Sequence, residues 1–188
     1  MKIWLVLLIA TFMCSCILAQ VSEENVPQKK GTPDSIYLFF ESGTGSFNGL
    51  DLLTLRGGLA YEYKQSIMLS AYMVHHSETA AILDASKYTF MGTGVQLGKV
   101  FRKDKLKIIP SVGIEFGHID IGEGPLISDW FTTSYASYHT ENAYLYPVSV
   151  QFLYKLGRYA SINGRFGYAY NWEYPLVEFD LGMCLGKM

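Results

Sequence analysis

From Leu53 to Lys64 the chain alternates with period two: Leu53, Leu55, Gly57, Leu59, Tyr61 and Tyr63 stand against Thr54, Arg56, Gly58, Ala60, Glu62 and Lys64. Successive side chains of a strand point to opposite faces, so one face of this segment is apolar and the other carries charge. The same division returns further on. Lys105 to His118 sets Leu106, Ile108, Val112, Ile114 and Phe116 against Lys107, Ser111, Gly113, Glu115 and Gly117. Ala143 to Lys155, Tyr159 to Tyr170 and Val177 to Leu185 repeat it, with Ser149, Gln151, Asn163, Arg165, Glu178 and Asp180 on the polar side. Three more segments are weaker versions: Ser35 to Glu41, apolar on both faces, Ile67 to Val74, and Thr89 to Phe101. The total is eight strands, an even number, as closure of a single-chain membrane barrel requires. The fold class expected is all-β: an eight-stranded antiparallel up-and-down transmembrane β-barrel.

The connections alternate in length. Lys64 to Ser66, Lys103-Asp104 and Leu156 to Arg158 are short, whereas Ser42 to Asp51, His75 to Tyr88 and Ile119 to Asn142 are long, and Asn171 to Tyr174 is intermediate. Outer-membrane barrels have short periplasmic turns and longer outer loops, and this order matches. Tyrosines and phenylalanines gather near strand ends, at Tyr61, Tyr63, Phe101, Tyr144, Tyr146, Tyr154, Tyr168 and Tyr170, where two interfacial girdles are expected. A soluble lipocalin-like barrel is the rival fold. It would turn the apolar face inward around a ligand and leave Arg56, Glu62 and Glu115 outside.

Composition sharpens the membrane reading. Hydrophobic residues are 49% of the 188 and charged residues 17%, against about 25% charged in an ordinary soluble domain. Beyond the first 20 positions no apolar run approaches the ~18 to 20 residues a spanning helix needs. The N-terminus reads as a signal peptide over 1–19, with Lys2, the apolar run Ile3 to Phe12 and a small residue at Ala19. Residues 20–34 read as a flexible periplasmic lead-in and 35–188 as the barrel. A lipoprotein signal using Cys16 is the alternative. Cys14 and Cys16 fall in that segment, which leaves Cys184 alone and excludes a disulfide framework. The net charge of −2 and the lack of a basic run give no reason to expect nucleic acid as a partner.

The pattern resembles the small eight-stranded bacterial outer-membrane β-barrel proteins, the outer-membrane protein β-barrel domain family. The residues that carry the resemblance are the signal peptide, Gly-rich amphipathic strands such as Leu53 to Tyr63 and Ile109 to Phe116, and a C-terminal strand. The likeness implies an outer-membrane location, contact with outer-membrane lipid and lipopolysaccharide, insertion by the barrel-assembly machinery, and no cofactor. Members often end on an aromatic residue; this chain ends Leu185-Gly-Lys-Met188.

An eight-stranded barrel is just wide enough for side chains to fill it. Arg56, Glu62, Glu115, Arg165, Glu178 and Asp180 are predicted to point inward and to pair, since unpaired buried charge is costly. Pairing of this kind is structural; exchange of partners would make it a gate for a narrow channel or carrier. His75-x-Ser77 looks like the His-x-Ser motif of the outer-membrane lipid A deacylases, with Glu78 where those enzymes have asparagine. Metal binding by His75 and His76 is not expected, because adjacent strand residues point apart. Trp130, Phe131, Tyr135 and Tyr138, in the long third loop, are candidates for recognition of an extracellular ligand. The function expected is therefore structural or surface-interacting, without catalysis.

Overall fold

The computed structural model describes residues 35–47, 50–78, 88–128, 133–171 and 175–186. The expected signal peptide and lead-in lie outside the described residues. The strands are β1 (Ser35–Phe47), β2 (Leu50–Tyr63), β3 (Ile67–Glu78), β4 (Tyr88–Lys99), β5 (Phe101–Lys103), β6 (Leu106–Ser128), β7 (Thr133–Lys155), β8 (Ala160–Tyr170) and β9 (Leu176–Gly186). They pair antiparallel in the order β4-β3-β2-β1-β9-β8-β7-β6-β5, and β4 also pairs with β6, so the sheet closes. β4 and β5 follow one another along β6, with Gly98 opposite Ser111 and Phe101 opposite Ile108. They form one stave broken at the buried Val100. The result is a closed eight-stranded antiparallel barrel, with no sheet edge left along its wall.

Which face of each strand turns inward follows from the alternation. Thr54, Arg56, Glu62, Glu115, Arg165 and Asp180 are buried, while Leu55, Leu59, Leu97, Val112, Phe166 and Leu181 are exposed on the outside. The lipocalin-like alternative has the opposite facing and is ruled out. Exposed apolar side chains come from β1, β2, β3, β4, β6, β7, β8 and β9 and so encircle the barrel. A soluble monomer rarely exposes a contiguous apolar patch beyond a few hundred Å². Along β2 the outward set runs from Leu53 to Tyr63; at about 3.3 Å per residue and a tilt near 40°, that span matches the ~25 Å apolar band of membrane barrels. Tyr61, Tyr63, Tyr154 and Tyr159 are exposed toward the short-turn end, and Phe116, Tyr144 and Tyr146 toward the other. The Phe116 and Tyr144 rings meet at 5.0 Å.

The short turns stand close to where the sequence puts them. Ser66 N donates to Tyr63 O at 3.0 Å, and Lys64 and Gln65 between them have φ of 46° and 59°. A turn with both central residues left-handed matches the twist of the flanking strands and fixes their register.

The long connections differ from expectation. Ser42 to Asp51 is mostly strand, because β1 continues to Phe47 and β2 begins at Leu50. Ile119 to Asn142 is mostly strand as well: β6 runs to Ser128, β7 starts at Thr133, and the two form a hairpin 23 residues long on each arm. β4 pairs with β6 only as far as Ile121, and β8 pairs with β7 only from Tyr146. The hairpin therefore stands out past its neighbours, and Ala136, Ser137, Tyr138, His139 and Thr140 are all exposed. Water on both faces removes the apolar and polar alternation by which a strand is recognised, which is why this stretch reads as a loop in sequence. A bulge between Glu123 and Leu126, with Gly124 at φ 80°, breaks the register there.

Candidate functional site

The barrel interior is organised in layers. At its centre two guanidiniums face four carboxylates. Arg56 Nη1 donates to Asp180 at 2.9 Å, and its Nη2 reaches Glu115 at 3.1 Å and Glu178 at 3.2 Å. Arg165 Nη1 donates to Asp180 at 3.3 Å and its Nη2 to Glu178. Tyr72 Oη donates to Glu115 at 2.8 Å, and the Arg56 guanidinium lies 4.9 Å from the Tyr72 ring centre. The small residue Gly94 makes room for this contact: a Cβ there would stand 2.6 Å from the Tyr72 ring and 2.8 Å from Glu115 Cγ.

Glu41 completes the group. Its Oε1 accepts from Asn163 at 2.7 Å and Gln151 at 3.0 Å, while its Oε2 lies 3.6 Å from Arg56 and 3.8 Å from Arg165, beyond direct hydrogen-bond reach. A cavity of about 10 Å³ adjoins it, lined by Glu41, Arg56, Ser70, Gln96, Gln151 and Arg165 among others. That is the room one water needs, among polar groups that could bond it.

Nearer the short turns stands a second ionic group. Glu62 accepts from Lys107 Nζ at 2.7 Å and from Arg102. Tyr37, Met68, Ile109 and Leu153 are buried at this end. The layer toward the long connections is apolar. Leu52 precedes Arg56 on β2, Phe90 precedes Gln96 on β4, Ile119 follows Glu115 on β6, Leu145 precedes Gln151 on β7, and Leu176 precedes Glu178 on β9. All five are at most 4% exposed. They form an apolar septum across the bore, joined by His76, whose ring stacks on Phe90 at 5.7 Å and whose Nδ1 is 3.0 Å from Thr54 Oγ1.

The six charged residues singled out in the sequence all lie inside the barrel, but the structure divides them. Arg56, Glu115, Arg165, Glu178 and Asp180 form the central cluster, while Glu62 belongs to the group at the short turns. Sequence reasoning missed Glu41 and Arg102 and left Lys107 outside the charged set. The signal for Glu41 was its parity: Tyr37, Phe39 and Glu41 share the inward face, opposite Ile36, Leu38 and Phe40.

His75 and Ser77 lie half-buried on the outward face of β3. Their directly paired neighbours are Leu55 and Met91 for His75, and Leu53 and Thr89 for Ser77, none of them a carboxylate. Of the recognition candidates, Trp130 and Phe131 lie outside the described residues. Tyr135 and Tyr138 belong to strand β7 and not to a loop, and Tyr138 is 47% exposed.

No family model matches the sequence, and no curated protein matches it. Solved structures do. Neisserial surface protein A (NspA) is similar with a TM-score of 0.60 at 10% identity, over 81% of this chain and 96% of that one. Ail, the attachment invasion locus protein of Yersinia pestis, solved with the heparin analogue sucrose octasulfate, gives 0.54 at 13% identity over 82% and 96%. The N-terminal β-barrel domain of Pseudomonas aeruginosa OprF gives 0.53 at 13% identity over 80% and 96%. At such identities the likeness is one of architecture, and this chain shares with those outer-membrane proteins the closed eight-stranded antiparallel barrel.

Proposed function

We propose that this chain is an integral outer-membrane protein, exported by a cleaved N-terminal segment, whose barrel is a structural mount for the β6–β7 hairpin as a surface-interaction element. The observation that carries the reading is the facing of the closed barrel: an apolar belt outside and a cross-paired charge cluster within. Only a lipid surround makes that arrangement stable, since the belt would be exposed to water anywhere else. Outer-membrane lipid, lipopolysaccharide and the barrel-assembly machinery are the partners this placement entails. The test is membrane fractionation together with heat-modifiable migration in a gel. Recovery in the outer-membrane fraction, with faster migration before heating, is expected; a wholly soluble periplasmic protein would overturn the reading.

The hairpin is the surface on offer to an extracellular ligand. Ail was solved with a polyanion, but the long-connection end of this barrel carries Asp51, Glu78, Asp120, Glu123 and Glu141 and, among the described residues, no lysine or arginine. A cationic or neutral partner fits that end better. Retention of the reconstituted protein on immobilised heparin at physiological salt would contradict this assignment.

Neither conduction nor catalysis is part of the proposal. The apolar septum above the ion cluster supports a closed bore, testable by planar-bilayer conductance before and after Arg56 is neutralised, with no channel activity expected from the native protein. Ser77→Ala should leave the acyl content of lipid A unchanged.

A further inference from the structure

Charge is distributed unevenly between the two ends of the barrel. Among the described residues, every lysine and arginine outside the central cluster lies at the short-turn end. Arg102 and Lys107 there are held by Glu62. The others are Lys64 at the first turn, Lys99, Lys103 and Lys105 at the second, and Lys155 and Arg158 at the third. Among the described residues, the carboxylates at this end are Glu62, which is buried, and Asp104. The three turns stand apart around the rim, so the basic residues form a collar.

Two contacts set the depth of this collar. Lys64 Nζ lies 4.9 Å from the Tyr63 ring centre and Arg158 Cζ 5.3 Å from that of Tyr159. Both tyrosines are exposed, at 42% and 56%; Tyr63 stands on the outer face of β2 where the apolar belt ends, and Tyr159 in the third turn just before β8. Aromatic rings take the level between hydrocarbon and headgroups, and basic side chains next to them reach the phosphates. We propose that this collar binds the phosphate groups of anionic phospholipids in the leaflet on the short-turn side. The inference rests on the membrane placement proposed above. It also supplies a polarity: one rim gathers lipid phosphates directly, whereas the acidic rim would need bridging cations to do so.

The test uses the full barrel in phosphatidylcholine vesicles with spin-labelled phosphatidylglycerol or spin-labelled phosphatidylcholine as probe, reading the lipid immobilised at the protein surface. A preference for the anionic probe of roughly fivefold or more is expected, weakening at high salt. Combining K64Q, K99Q, K103Q and K105Q, which leaves Lys155 and Arg158 of the third turn in place, should lower the preference by about half or more, and the corresponding lysine-to-arginine set should retain it. Heat-modifiable migration checks that each variant folds; should the quadruple variant fail, K103Q with R158Q must still lower the preference. Equal association of both probes with the native barrel, or a preference unmoved by these substitutions, overturns the proposal. Loss of the preference on adding millimolar inorganic phosphate would instead identify a free-anion site. Collar-dependent binding to peptidoglycan sacculi without lipid selectivity would assign the collar to an acidic polymer, and also overturns it. A chain that enters no vesicle defeats the membrane placement itself, an outcome distinct from insertion without selectivity.

Discussion

Replacing Arg56 by methionine is the most informative perturbation of the barrel core. The substitution removes a guanidinium that donates to Asp180, Glu115 and Glu178 at 2.9, 3.1 and 3.2 Å, and leaves four buried carboxylates with Arg165 as their only guanidinium. Breaking one buried ion pair by deleting a partner costs about 3–5 kcal/mol, because the charge left behind is uncompensated. With three carboxylates affected at once, Arg56→Met should sit near the upper end, about 5 kcal/mol. Glu115→Gln makes the contrast. The amide keeps the volume, its oxygen can accept from Tyr72 and Arg56 as the carboxylate does, and carboxylates no longer outnumber guanidiniums by two to one. Its cost should be about 1 kcal/mol or less. Urea titration in phospholipid vesicles, read by the heat-modifiable gel shift and extrapolated linearly to water, measures both. Equal costs for the two substitutions, or less than about 1 kcal/mol for Arg56→Met, would refute the view that the guanidiniums are the limiting partners of the cluster.

Three further outcomes are expected. Leu59→Arg, at an outward position near the middle of the apolar stretch of β2, should destabilise the protein by about 2–4 kcal/mol in vesicles, whereas Ser137→Arg on the exposed hairpin should fall within about 0.5 kcal/mol of native; similar values at the two sites would contradict the assigned lipid face. Gly94→Ala puts a methyl 2.6 Å from the Tyr72 ring and should cost about 1–3 kcal/mol by overpacking, seen as a lower temperature of gel-shift conversion. Phe90→Ala removes the largest side chain of the septum and should cost about 3–5 kcal/mol; because the ion cluster and the buried layer of Tyr37, Met68, Ile109 and Leu153 still fill the bore beneath it, single-channel recording should show no conductance in this variant or in the native barrel.

Much of this protein was determined by its sequence alone. Strict alternation in Leu53 to Lys64 and its counterparts fixes the facing of those strands, because a strand displaced by one residue would exchange its lipid and interior faces. The number of staves and the short turns follow from the same pattern. The hairpin was not legible, since strands wet on both faces lose the contrast that marks them; there, pairing of β6 with β7 decides the structure. Glu41 was hidden for the complementary reason: it ends a segment apolar on both faces, and only closure of the barrel brings β1 against β9 and sets its carboxylate beside two arginines from β2 and β8. Separation of Glu62 from the central cluster likewise depends on height along the bore. Parity in sequence tells which way a side chain points; which side chains it meets inside is set by the register of eight staves closed into one wall.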